Sequence, residues 1–505
     1  MTGRREFLKS IAFGAASAMF LDLERILAQE TQEQPTPHQQ ISRDFYSIAK
    51  EFYSKAKDKD KTKEALEISL YFDSFNKEAE DLLKKLEKEK LNKNDKLSKK
   101  AEENYKKKKQ ESIETLAKLS AEKLKNDKQE AYKEFEGIWK IENNSEKPYD
   151  VLGFVKNEGG FYISKERNAR RELGKKIFQN SKMGEIDNKK DNIEELMNIK
   201  PFRRSSERIT SRSIVSDENA KQMHRAAEAA FTYLPIFLGI DGHPFDGTDY
   251  SKEFEEDIKK DGGKLFYRVT EFNKPEQFDK YTKEILGHKD YDSTWGTLGE
   301  TWKTWERKNE EIKPVHSGHY HYFQTEPDID NTVHNIANLI AGRNEECLVC
   351  LPLQKGLCYL ITAELLGTTT TSMIYEKHGK YKGDKDKENT IRADTIDKMH
   401  SIVYELVRTS REKQLEKLVS TSAFETKVED VSQAVSLMEF LRYHKDYQEP
   451  TLKMLTSGRV GNKWEFFGIK PKDLAQKAYG KSWETIHEDW RQYVLDENIG
   501  YRNSK

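Results

Sequence analysis

Residues 206–340 change hydrophobic period repeatedly, and that restricts the fold more than any other feature of the chain. "SERITSRSIV" (206–215) alternates apolar and polar residues as a half-buried strand does, with successive side chains on opposite faces. "DENAKQMHRAAEAAFTYLPIFLGI" then puts Ala226, Ala229, Ala230 and Leu234 on one side of a helix, with Asp217 in place for an N-cap. "GKLFYRVTEF" reads as a strand, "KPEQFDKYTKEIL" as a helix, "SGHYHYFQT" (317–325) as a strand and "DIDNTVHNIANLI" as a helix. Helices interleaved with such strands pack on a sheet, so the expected fold class here is α+β with a mixed sheet.

The first part of the chain has another character. Charged residues make up 35% of the 505-residue sequence and hydrophobic residues no more than 35%, so much of it must be solvated helix. The length leaves room for two to four domains. Residues 29–90 carry Ala49, Tyr53, Ala56, Ala65, Leu66, Leu70, Ala79, Leu82 and Leu83 at helical spacing. They resemble one and a half tetratricopeptide repeats, with "FDSFNKEA" at the turn. So few repeats need further packing partners. Residues 91–148 form a charged helical segment, read as a solvated helix or a hairpin joined at "NKND", with an oligomerising coiled coil as the alternative. The run "KKKK" at 106–109, flanked by Glu102, Glu103, Glu111 and Glu114, reads as a solvated face. Residues 149–200 read as a small connector and linker. Within it "VLGFVKNEGGFYI" suggests a strand from Val151 to Val155, a glycine turn and a second strand at 161–163, and 180–195 a polar linker.

At the N-terminus, Arg4, Arg5, Phe7, Leu8 and Lys9 stand in R-R-x-F-L-K before an apolar run from Ile11 to Leu21. This resembles a twin-arginine export signal over residues 1–28, with Ile26 and Ala28 near the cut. The run is shorter than the ~20 residues a membrane-spanning helix needs. The resemblance implies a protein folded before export, working in the periplasm or an equivalent compartment and touching the membrane only through its signal. A net charge of −1 gives no global attraction to nucleic acid.

The order of elements in 201–375 resembles that of the gluzincins, zinc peptidases built around an H-E-x-x-H helix. "LQKGLCY" after that helix is similar to the family's W-L-x-E-G-L-A-x-Y segment through Leu353, Gly356, Leu357 and Tyr359. "VSQAVSLMEFLRYHKDYQEP" and the end, with Trp490, Tyr493 and Val494, resemble the helical C-terminal subdomain of such peptidases, here 376–505. A group of exported bacterial proteins likewise joins helical repeats, a connector like "VLGFV" and this domain.

The resemblance implies a zinc site whose chemistry needs two imidazoles one helical turn apart, a third ligand from the next helix and a carboxylate base. His334 matches the first ligand. Asn335 stands where the base should be, and an amide does not take that proton at neutral pH. Asn338 replaces the second histidine, and Lys355 replaces the third ligand with a cation that a dication repels. The expectation is a catalytically inactive pseudo-peptidase with no cofactor, binding or scaffolding an unidentified protein or peptide partner.

Two alternatives stand beside it. One is a metal-dependent hydrolase with zinc on His316, His319, His321 and His334, and Glu300 or Glu326 as base; H-x-H on a strand points both rings to one face. The other is an assembly protein working through its N-terminal helices. Cys347, Cys350 and Cys358 read as small buried positions, with a labile Cys347–Cys350 disulfide and a metal site as other readings. "DGHPFDGTD" (241–249) lacks the ligand order of an EF-hand and reads as a surface loop. The sequence has no Walker A, G-x-G-x-x-G or G-x-S-x-G motif, so nucleotide and serine-hydrolase chemistry have no support.

Overall fold

The computed structural model describes residues 35–91, 93–188, 192–242, 267–272, 274, 276–277, 280–285, 297–301, 317–322, 329–342, 351–369, 395–421, 427–456 and 469–502. The chain divides into two compact units, Met1–Gly153 and Phe154–Lys505. The signal-like residues Arg4, Arg5, Phe7, Leu8 and Lys9 lie outside the described residues.

The first unit is helical: α1 (Pro37–Glu51), a π-helical turn (Phe52–Ala56), α2 (Lys59–Phe72), α3 (Lys77–Lys88), α4 (Asp95–Lys123), α5 (Lys128–Ile141) and α6 (Lys147–Leu152). Short polar side chains set its helix starts. Thr36, Asp58, Asn76, Asn94 and Asp127 each accept from a backbone N–H in the first turn of the helix that follows, satisfying donors the helix itself leaves unpaired. Asn76, in the "FDSFN" turn, also donates to Ser42 Oγ (3.2 Å) and Ser69 Oγ (3.3 Å), stitching α1, α2 and the start of α3 together. The charged segment hides an apolar stripe. Tyr105 of α4 is buried edge-on against Phe45 and Phe52, each 5.8 Å away between ring centres, and Ile113 and Leu116 are buried with it. In "KKKK", Lys106 and Lys107 are exposed, but Lys108 reaches Asp44 and Lys109 reaches Glu64 at 2.8 Å.

The second unit opens with the hairpin β1 (Val155–Lys156) and β2 (Tyr162–Ile163), paired antiparallel. Val151 and Leu152, expected in its first strand, instead end α6, which Gly153 closes in the left-handed conformation. Next come α7 (Lys165–Asn180), β3 (Glu185–Ile186), α8 (Asn192–Met197), β4 (Phe202–Ser205), β5 (Ile209–Ser213), α9 (Asp217–Leu238), β6 (Tyr267–Phe272), β7 (Thr297–Thr301) and β8 (Ser317–Tyr322). The expected 180–195 linker therefore supplies an edge strand and a short helix. The N-cap of α9 is Ser216, not Asp217; Asp217 sits in the first turn and pairs with Arg204 of β4.

The six-stranded sheet has the order β3-β4-β5-β6-β8-β7 and is mixed, as expected. β5, β6 and β8 run parallel, while β3, β4 and β7 join antiparallel. Helices α10 (Ile329–Gly342) and α11 (Leu351–Leu366) follow it. The C-terminal part is helical: α12 (Ile396–Arg408), α13 (Leu415–Val419), α14 (Val428–Tyr443), α15 (Gln448–Thr456), α16 (Pro471–Tyr479), α17 (Trp483–Glu497) and a 3-10 turn (Ile499–Tyr501). One apolar core joins α9, β5, β6, α10, α11 and these helices through Phe231, Val269, Ile336, Leu360, Leu437 and Trp490.

Three arginines of α7 enter a buried charged network beside that core. The fully buried Arg167 makes a two-pronged contact with Glu439 of α14, both distances 2.8 Å, and donates to Asn498 Oδ1 at 2.8 Å. Arg170 donates to Glu439 (2.9 Å) and to Glu364 of α11 (3.1 Å), which also accepts from the hydroxyls of Tyr233 and Tyr443. Arg171 donates to Asp397 of α12 at 2.8 Å, and the Tyr501 hydroxyl shares that oxygen. Burial opposes ionisation of Glu439, yet Arg167 beside it, with His400 and Arg170, holds its carboxyl well below the usual range. Burial pushes His400, 3.1 Å from Glu439, down to about 4, and Arg167 adds to the shift.

Glu439→Ala strands Arg167 as a buried unpaired charge and is expected to cost about 3–5 kcal/mol in urea unfolding of the full chain. The double substitution Arg167→Met, Glu439→Leu should cost less than Glu439→Ala alone. His400 is neutral in the fold and ionises more readily when unfolded, so its contribution is complete above pH 6.5 and is lost as pH falls towards about 4. Unfolding midpoints should drop across that window by an amount equivalent to roughly 3 kcal/mol, and His400→Gln should flatten the drop.

Candidate functional site

Four of the positions that the sequence singled out, His334, Asn335, Asn338 and Lys355, lie on two helices that pack on each other, α10 and α11. α10 is amphipathic, with Val333, His334, Ile336 and Ala337 buried, so His334 faces inward. Its neighbour one turn on, Asn338, meets α11: its Oδ1 accepts from Gln354 Nε2 at 3.0 Å and lies 3.9 Å from the Cys358 thiol. Asn335 folds back on its own helix, its Nδ2 donating to the backbone oxygen and Oδ1 of Asn331, both at 2.9 Å. The side chain in the general-base position is thereby tied to the preceding turn.

His334 packs edge-on against Tyr359 of α11, with 4.7 Å between ring centres, and its Nδ1 has no hydrogen-bond partner among the described residues. Burial pushes its pKa well below the usual histidine value, and the positive charge of Lys355 pushes further the same way. Burial also raises the Cys358 thiol to about 12, so it remains protonated at neutral pH. The corner thus holds a neutral imidazole, an amide–amide hydrogen bond, a protonated thiol and a nearby ammonium.

These groups do not fit zinc in the gluzincin manner. Asn338 already spends its oxygen on Gln354, and the α11 residue nearest in charge to His334 is a cation. Among the described residues no three His, Cys, Asp or Glu side chains are placed to hold a metal. His319 and His321 lie on β8, in register with Val269 and Glu271 of β6 and with Gly299 and Thr297 of β7. Glu300 lies on β7, opposite Gly318. His316, Glu326, Cys347 and Cys350 lie outside the described residues.

Cys358, expected as a small buried position, is buried, whereas Gln354, whose amide bonds to Asn338, was not anticipated. The signal was present: Gln354 lies four residues before Cys358, one turn along α11. Nor did the sequence show what Gly356 does. A Cβ there would lie 2.3 Å from the backbone oxygen of Ala434, so the glycine lets α11 approach α14 closely. Gly356→Ala should destabilise the full chain by about 1–3 kcal/mol in thermal or urea unfolding, because the two helices must separate.

Comparison with protein-family models, with curated proteins and with solved structures brings no match, so the reading of this corner rests on its own residues.

Proposed function

We propose that the second unit contains a gluzincin-like domain that has given up zinc hydrolysis, and that the exported chain serves as a binding or scaffold protein for a protein or peptide partner. The order of elements supports the kinship: parallel strands, an antiparallel edge strand, then an inward-facing helix with His334 and a second helix with "LQKGLCY". The twin-arginine pattern around Arg4 and Arg5 supports export.

One observation carries the loss of chemistry. Asn338 and Gln354 close on each other across the two helices, and Lys355 disfavours positive charge at His334. A dication placed there would forfeit the amide bond, meet the lysine's charge and find one imidazole. No carboxylate stands in the Asn335 position to deprotonate a water. Shape and acid–base groups are separate features of a peptidase, so loss of the catalytic groups does not by itself abolish a polypeptide-binding groove.

Elemental mass spectrometry of the purified chain, folded with zinc and freed of excess ion, tests this reading. Substoichiometric zinc is expected, rising to about one ion per chain when Asn335→Glu, Asn338→His and Lys355→Glu are combined. One zinc per native chain that disappears in His334→Ala would overturn the proposal.

A further inference from the structure

We propose that the groove between α7 and α9, apart from the His334 corner, is a docking site for a short acidic peptide segment with aliphatic side chains, presented by a partner protein. The groove encloses about 370 Å³, and its lining includes Leu173, Lys176, Ile177, Lys182, Glu228 and Thr232. Its chemistry is bipartite. Leu173 is 40% exposed, a large apolar side chain that folding leaves in water, and Met183, next in sequence to Lys182, is 37% exposed.

The groove's lining carries two lysines against one carboxylate, Glu228. Lys175, facing elsewhere on the same helix, meets Glu158 at 2.6 Å and Glu172 at 3.7 Å. Lys176 forms no ion pair among the described residues, and Lys182 acts on Glu228 only through its charge. Glu228 is engaged on its inner side. Burial raises its pKa, but His224 and Ser206 beside it outweigh this and hold the carboxyl below the usual range. His224 Nε2 lies 3.5 Å from Glu228 Oε1, and the ring is fully buried, wedged between Ser211 and Gly184. A Cβ at Gly184 would come within 2.9 Å of that ring. The wall carrying Glu228 is therefore fixed before anything binds, which lowers the ordering cost of docking.

Two lysines open to solvent outweigh the single carboxylate of Glu228, and with the exposed aliphatic surface beside them they complement carboxylates alternating with leucine-like side chains. The volume admits two or three side chains, and the openness of the groove favours an extended segment over an enclosed small molecule. The site is independent of whether the α10–α11 corner ever held zinc.

Fluorescence anisotropy on the full chain tests the proposal with a capped, fluorescein-labelled Glu-Leu-Asp-Leu-Glu peptide at low salt. Saturable binding with Kd on the order of 0.1 mM is expected. It should weaken roughly tenfold in the double variant Lys176→Glu, Lys182→Glu and stay unchanged in the control Lys99→Glu, Lys100→Glu, which removes two exposed lysines of α4. A Glu-Ser-Asp-Ser-Glu peptide should bind more weakly than the leucine version. Absence of saturable binding, equal binding by the groove variant, or equal loss in the control would overturn the proposal.

Discussion

The second unit is organised around the ion pair of Arg167 and Glu439. Burying two full charges is costly, and the cost is met only when both prongs of the guanidinium find the carboxylate and the remaining donors are also occupied. Arg167 meets Glu439 twice and donates from Nη1 to Asn498 and to the backbone oxygen of Glu497, while Arg170 and His400 lie against the same carboxylate. These groups come from α7, α12, α14 and Asn498 after α17, and neither α7 nor α14 can shift without leaving a buried charge unpaired. Glu364 repeats the arrangement on α11, receiving Arg170 and two tyrosine hydroxyls.

Close backbone approach complements this electrostatic frame. Gly174 brings α7 against the backbone of Glu364, where a Cβ would lie 2.0 Å from its oxygen, and Gly356 does the same for α11 against α14. Helix α11 is thus gripped on two sides by helices that touch its backbone. It is also the helix that presents Gln354, Lys355 and Cys358 to α10. A corner built on so constrained a helix has little freedom to change its geometry.

Most buried polar groups of the corner are paired. A buried polar group left unpaired costs about 1–3 kcal/mol. Here Asn338 and Gln354 satisfy one another, Cys358 remains a neutral thiol, and Asn335 is satisfied within its own helix. His334 Nδ1 has no hydrogen-bond partner among the described residues, and its ring is kept neutral by burial and by Lys355. The α7–α9 groove shows the opposite balance, with lysines and aliphatic side chains left open to solvent.

What the sequence determined by itself was local. Period-two and helical patterning identified β5, β6, β8, α9 and α10, and the letters at 334, 335, 338 and 355 set which donors those positions carry, because residue type fixes donor type. Capping was legible only to within a residue: Ser216 and Asp217 are both good caps, and Arg204 on a neighbouring strand claims Asp217. The polar segment at 180–195 looked like a linker because β3 is two residues long and takes its pairing from β4, which no local pattern reveals. Tertiary structure alone decided that "ERNARREL" is a buried anchor, since its carboxylate partners lie between 194 and 272 residues away. It also decided that Asn338 pairs with Gln354, because such contacts depend on how two helices cross, and side-chain spacing along either helix does not contain that angle.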